Sequence, residues 1–196
     1  MRNLVLACGL LAMCGTPAPA IAQALVCPET PILRDGFEPL APAPSNLTVG
    51  DAAATLNLHN CMRSQVSPPA NPALPPLAWS TSLAASAQAW TDNCVFQPQA
   101  GLTVGQNLAA SSVSSFTASQ ATQLWIDDRE FYDYEGNSCA PGRFCGYYTQ
   151  VVWRSTTQVG CGRTLCATGS PVGSGTWIFV VCRYDPRGSL PGQRPY

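Results

Sequence analysis

His59 is the single histidine among 196 residues. Metal centres and proton-transfer sites usually recruit more than one imidazole or thiolate, so one His already narrows the chemistry. The other concentration of ionisable groups is acidic: Asp127, Asp128, Glu130, Asp133 and Glu135 fall within nine residues. Such a run suits a cation or a basic partner, or it is a solvated helix end; acid near a helix C-terminus opposes the helix dipole. Ten cysteines are the third feature. Zinc would need thiolates in CxxC-like pairs with His, and neither is present. The sequence therefore predicts no metal and no cofactor.

Where these groups sit depends on processing. Arg2 precedes an apolar run from Leu4 to Met13, followed by small residues ending at Ala22-Gln23-Ala24. A charged start, a short apolar stretch and an Ala-x-Ala exit describe a secretory signal peptide over residues 1–24. Cleavage is expected after Ala24, with Ala22 as the alternative; lipid attachment at Cys14 is a rival that Met13 disfavours. The run is too short to span a bilayer. The protein is expected to be exported and soluble, extracellular or, in a Gram-negative host, periplasmic. Loss of Cys8 and Cys14 leaves Cys27, Cys61, Cys94, Cys139, Cys145, Cys161, Cys166 and Cys182. An even set in an exported chain reads as a disulfide framework, with 105 connectivities open. Full oxidation would leave no thiol nucleophile.

Composition agrees with a single exported domain. Charged residues make up 11% and hydrophobic ones 46%; all ten basic residues are Arg, against 11 acids. The net charge of −1 argues against nucleic acid, whose phosphates demand a basic surface.

The elements that must position these groups follow from periodicity. Residues 25–49 form a Pro-rich leader, with a glycosylation sequon at Asn46-Leu47-Thr48 that matters only in a eukaryotic host. A helix is predicted over Asp51–Val66, with Leu58, Met62 and Val66 spaced by four, ended by Ser67-Pro68-Pro69. A second runs from Thr81 to Cys94, N-capped by Ser80, with Leu83, Ala87, Trp90 and Cys94 on one face. A third spans Thr117–Phe131, where Ala121, Trp125, Asp128 and Tyr132 share a face. An irregular stretch, 132–146, leads to a short amphipathic segment at Tyr147–Trp153. Strands follow at Gln158–Gly162 and Thr176–Tyr184, joined by a Gly/Ser-rich hairpin loop. Helices first and strands late give a mixed α+β class.

Six segments, in order, resemble the CAP superfamily of cysteine-rich secretory proteins, antigen 5 and pathogenesis-related protein 1. They are His59-Asn60-Cys61-Met62-Arg63, Leu74-Pro75-Pro76-Leu77-Ala78-Trp79, Gly105-Gln106-Asn107-Leu108, Trp125 with Asp128 and Tyr132, Gly146–Trp153, and Phe179–Pro186. The resemblance covers residues 50–196. It implies an α+β fold of the three-layer α-β-α sandwich type, stapled by Cys94–Cys166, Cys139–Cys145 and Cys161–Cys182. Cys27 and Cys61 remain and would pair, tying the leader to the first helix.

The family's cleft commonly carries two His and two Glu that can hold a divalent metal. Carried over by position, those places are His59, Gln106, Asp128 and Tyr147. Gln106 cannot ionise, Tyr147 is a phenol mostly protonated near neutrality, and no second His exists. The resemblance thus implies a cleft without catalytic residues, in which His59 is a satisfied polar group bonded to Gln106, Asp128 or Tyr147. Asn60 and Arg63 are expected to anchor the first helix. A weak metal-dependent hydrolase using His59 and Asp128 is the enzymatic alternative.

Some relatives bind sterols and fatty acids through an aromatic-rich loop. Phe131, Tyr134 and Phe144 are the corresponding lipid-contact candidates, whereas Tyr132 and Tyr148 belong to the core. The last eleven residues, 186–196, resemble a tail that plant pathogenesis-related proteins can release as a defence signal, with Ser189 in place of Asn. The expected function is a secreted, monomeric, non-catalytic binding or interaction protein in host defence or host–microbe contact, with a sterol, a fatty acid or a protein receptor as partner.

Overall fold

The computed structural model describes Cys27 and residues 45–196. The expected signal peptide, residues 1–24, and most of the expected leader lie outside the described residues. Four helices and six strands follow in chain order: α1 (Val49–Ser64), β1 (Ala78–Trp79), α2 (Thr81–Thr91), β2 (Gly105–Ser111), α3 (Ala118–Asp127), β3 (Tyr132–Asp133), β4 (Ser138–Cys139), α4 (Gly146–Val151), β5 (Gln158–Cys166) and β6 (Trp177–Asp185). A 3₁₀ turn, Asp128–Phe131, continues α3.

Strand β6 explains the layering. Its sequence, Trp177-Ile178-Phe179-Val180-Val181-Cys182-Arg183-Tyr184, is buried without interruption. A strand's side chains alternate between faces, so an apolar strand of this kind needs cover on both. Trp177, Phe179 and Val181 pack with Ala87 and Trp90 of α2. Ile178, Val180, Cys182 and Tyr184 pack with Leu56 and Met62 of α1, Trp125 and Ile126 of α3, and Tyr148 and Val151 of α4. The result is a three-layer α-β-α sandwich around a sheet ordered β1-β5-β6-β2. β6 pairs antiparallel with β5 and β2, while β1 joins β5 in parallel.

The helices start where local chemistry directs. Ser80 accepts a hydrogen bond from the Leu83 amide and caps α2. α3 opens with a capping box between Thr117 and Gln120, and Asp51 of α1 receives the amides of Ala118 and Ser119 at 3.1 and 3.2 Å. A carboxylate at a helix N-terminus satisfies unpaired amides and the dipole together. The predicted second helix ends earlier, at Thr91, because Cys94 adopts a left-handed backbone (φ 52°). The third gives way to the 3₁₀ turn at Asp128. β2 went unpredicted: Gly105-Gln106-Asn107-Leu108-Ala109-Ala110-Ser111 is too poor in β-branched residues to announce a strand.

Two glycines set the gap between α2 and the sheet. A Cβ on Gly160 would lie 2.3 Å from the Ala84 amide nitrogen, and one on Gly162 would lie 2.4 Å from that of Gln88. Helix backbone thus rests on strand backbone. Gln88 rivets the contact, its Oε1 accepting from the Arg163 amide at 3.0 Å and from the Asn46 amide at 2.8 Å.

Among the described residues four disulfides close the structure: Cys27–Cys61, Cys94–Cys166, Cys139–Cys145 and Cys161–Cys182. Cys161 and Cys182 face each other across the β5–β6 pair. Among the described residues no helix is long and apolar enough to cross a membrane.

Gly162→Ala must displace backbone atoms of α2, so it is expected to destabilise the fold by roughly 3 kcal/mol, in the upper range for overpacking. A Tm drop of about 6 °C or more in thermal unfolding would register it; an unchanged Tm would show that α2 can ride up without loss.

Candidate functional site

The cleft opens at the beginning of β2, where the strand is at the sheet edge. Alternation sends Gln106 to the α2 side, in register with Arg183 and Gly160, and Gly105 to the α4 side, in register with Tyr184. α4 brings up Tyr147 and Gln150, and the chain after β6 brings Arg187, Gly188 and Ser189. Together with Gln99 they line a cavity of about 280 Å³.

Gln150 forms the floor. Its Oε1 accepts from the Gly188 amide at 2.9 Å and its Nε2 donates to Thr156 Oγ1 at 3.2 Å. A Cβ at Gly105 would lie 2.1 Å from that Oε1, and one at Gly188 would lie 2.8 Å from Nε2. Both glycines are required to seat the carboxamide.

Gln106 is locked into the wall. Its Nε2 donates to the Gln99 carbonyl at 3.0 Å, and its Oε1 accepts from the Gln99 amide at 3.3 Å. A carboxylate could make the second of these bonds but not the first. Gln99, which sequence reasoning missed, is the other polar side chain of this wall, and its Oε1 accepts from Arg183 Nη2. The only signal for it lay in its distance of seven residues from Gln106, too weak to use without the fold.

Tyr147 packs against Trp125 (ring centroids 6.1 Å) and edge-on to Phe144 (4.9 Å). Burial, and then the Asp128 charge, raise the phenol above its ordinary range, so it stays protonated. Asp128 is half-buried at the head of the 3₁₀ turn. Burial and the adjacent Asp127 raise its carboxyl, with Arg143 opposing.

His59 stands elsewhere, and this corrects the carry-over from the sequence. It is fully buried, with 0% exposure, and does not line the cleft. Its partners are neither Gln106, Asp128 nor Tyr147. Nδ1 lies 2.8 Å from the Thr55 carbonyl and Nε2 lies 2.9 Å from the Tyr184 hydroxyl. A carbonyl only accepts, so Nδ1 carries the hydrogen and Nε2 accepts the tyrosine proton. The Tyr184 oxygen then accepts from Asn107 Nδ2 at 3.2 Å, and Asn107 also donates to the Tyr147 carbonyl at 3.0 Å. The imidazole is a rivet between α1 and the sheet, with both nitrogens used. Residue spacing gave no clue to this, because the partner Tyr184 is 125 positions away.

The three lipid-contact candidates are not gathered into one surface. Phe131 lies beneath Arg143, whose Cζ is 4.0 Å from the ring centroid. Tyr134 is stacked on Tyr196 (4.7 Å, 23° between planes), donates its hydroxyl to the Tyr196 carbonyl, and carries Arg194 above its ring. Phe144 alone is open, at 63% exposure. It borders both the cleft and a neighbouring cavity, also of about 280 Å³, under the Cys139–Cys145 loop.

Residues 56–184 match the cysteine-rich secretory protein family, CAP. The chain belongs to this family. Pathogenesis-related protein 1B of Nicotiana tabacum is 39% identical over 148 residues, 72% of this chain and 78% of its own length. Peptidase inhibitor 16 of Bos taurus is 38% identical over 175 residues, 88% of this chain and 37% of that protein. Among solved structures, Schistosoma mansoni venom allergen-like protein 4 superposes with a TM-score of 0.53 at 26% identity, covering 74% of this chain and 88% of that one.

The metal that a CAP cleft can hold does not fit this donor set. Gln106 spends its carboxamide on Gln99, Tyr147 stays a phenol, and the His59 lone pair is taken by Tyr184. Among the described residues no three His, Cys, Asp or Glu side chains converge.

Burial, partly offset by the Thr55 bond and reinforced by the Arg63 charge, lowers the His59 pKa from 6.5 to about 4. Below pH 6.5 the unfolded chain takes up a proton that the folded chain refuses, so stability is full above that pH and declines as pH falls toward 4. The loss amounts to about 3 kcal/mol. Urea midpoints between pH 4 and 7.5 should show this slope, and His59→Gln should flatten it relative to the parent. An identical slope in the variant would remove His59 as its source.

Proposed function

We propose that this CAP domain is an extracellular, monomeric binding and interaction protein of the defence or host–microbe setting, whose cleft holds a ligand without turning it over. The observation carrying this reading is the state of the cleft's polar groups. Gln99, Gln106 and Gln150 are non-ionisable and committed to internal hydrogen bonds, and Tyr147 stays protonated. General acid–base catalysis needs a group that exchanges protons near the working pH. The imidazole is the natural candidate, and it is sealed in the core. The pathogenesis-related relatives support the defence setting.

A sterol or fatty acid is the ligand class we assign, with Phe144 as its contact. An exposed aromatic between two cavities of about 280 Å³ favours an apolar ligand that crosses from one to the other, since each alone is small for a lipid. Titration of the purified protein with a fluorescent sterol and a fluorescent fatty acid should give saturable binding, equal with and without zinc. Phe144→Ala should weaken it about tenfold, as expected for one lost aromatic contact. Zinc-dependent binding or ester turnover abolished by Asp128→Asn would overturn the non-catalytic reading.

The second reading is release of residues 186–196 as a signalling peptide. Asp185, Pro186 and Arg187 are exposed at the end of β6, which favours access by a protease. Beyond them the tail is fastened. The Arg154 amide donates to the Pro195 carbonyl at 2.7 Å, Arg194 donates to the carbonyls of Tyr134 and Glu135 at 3.1 and 2.6 Å, and Tyr196 Oη donates to the Ser67 carbonyl at 3.2 Å. After cleavage at Asp185–Pro186 the peptide should therefore co-elute with the domain in size exclusion and dissociate only on denaturation. Immediate loss of the peptide would favour signalling by release.

A further inference from the structure

Among the described residues two arginines are buried, and they differ in how they are satisfied. Arg63, 1% exposed, donates from all three nitrogens to backbone carbonyls of Pro75, Val151, Trp153 and Thr156. Arg183 is 2% exposed, and its Nη2 donates to Gln99 Oε1. Its Nε is buried with no partner among the described residues, and no described carboxylate lies within ion-pair distance. An unpaired buried guanidinium is costly, several kcal/mol by general experience, and an unsatisfied buried donor adds to that.

The geometry points to a carboxylate-binding function for this arginine: we propose that the cleft takes a small organic carboxylate, which displaces the Gln99 side chain and closes on Arg183. Nε and Nη2 form the side-on edge of the guanidinium, whose two parallel N–H bonds match the two oxygens of a carboxylate. Gln99 supplies one amide oxygen to this edge and leaves the other prong empty. A carboxylate supplies both, with charge. Arg183 does not itself line the cleft, but Gln99 does and links the two: its backbone is held at both amide and carbonyl by Gln106, and its side chain is bonded to Arg183. Arg187, on the same cleft, adds a second cation at the mouth, and the adjoining polar walls of Gln106 and Gln150 are neutral. The cavity of about 280 Å³ admits a ligand of benzoate size, with Phe144 and Tyr147 beside it.

This inference rests on the cleft being a binding site, a premise that the sterol and fatty-acid titration tests separately. The full chain is titrated with sodium benzoate, with benzamide as the neutral isostere and inorganic phosphate as the competing anion, following the arginine side-chain N–H resonances by NMR and the heat by calorimetry. Benzoate is expected to bind with a Kd of about 1 mM, ordinary for a fragment of its size, and to shift the Arg183 Nε–H signal; benzamide should bind at least tenfold more weakly. Gln99→Glu places a carboxylate on the fork from within, so it should keep or raise Tm and abolish benzoate binding, whereas Gln99→Ala should preserve or tighten it. Arg183→Lys, lacking the fork, should lose binding at least tenfold. Absence of benzoate binding, equal binding of benzamide, preference for phosphate, or full binding by the Gln99→Glu variant would each overturn the proposal.

Discussion

The guanidinium of Arg63 is the contact on which the rest of this structure depends. Four carbonyls converge on it from three separate segments: the turn before β1, the end of α4, and the approach to β5. Burying the charge costs several kcal/mol, and charge-assisted hydrogen bonds of about 1.5–3 kcal/mol each offset it only when all are made together. The arrangement is cooperative for that reason. Burial, with the Arg154 charge, lowers the Arg63 pKa to about 10, so it stays charged at any ordinary pH. One turn earlier on α1, Asn60 acts on the same principle, exchanging hydrogen bonds of 3.0 and 2.7 Å with the backbone of Leu77.

That knot determines where the cleft lies. It fixes the end of α4, and α4 carries Tyr147 and Gln150. Gln150 is wedged between Gly105 of β2 and Gly188 of the tail, so the helix, the sheet edge and the tail share one carboxamide. From the other side, the polar wire Thr55–His59–Tyr184–Asn107 runs from α1 through the sheet to the carbonyl of Tyr147. The cleft is thus a product of core contacts, lined by the carboxamides of Gln99, Gln106 and Gln150 and the protonated phenol of Tyr147, with Arg187 beside them. Behind Gln99 stands Arg183, whose Nε has no partner among the described residues.

Much of the framework was legible from residues alone. Helix periodicity located α1, α2 and α3 to within a few positions, Ser80 announced its own cap, and the apolar run at 177–181 announced a strand. These features are local, and they depend on spacings of two to four residues. β2 was not legible, because its small residues carry little strand propensity and become a strand only by pairing with β6. Nor was the 3₁₀ turn at Asp128, which replaces the last helical turn where Tyr132 is drawn into the pairing with Cys139.

The sequence by itself determined what chemistry is missing: one His, a Gln where a Glu would ionise, and a Tyr where an imidazole would coordinate. Those are matters of side-chain identity, and no fold can supply a functional group the chain does not encode. Tertiary structure decided which of the remaining groups meet. It took His59 out of the cleft and into the core, dispersed Phe131, Tyr134 and Phe144 to separate partners, and put Gln99 against Arg183 across 84 positions of chain. The His59–Tyr184 and Gln99–Arg183 pairings depend on the register of β6 between its two neighbours, and a strand slipped by one residue would send Tyr184 and Arg183 each to the opposite face. Spacing along the chain carries no record of that register.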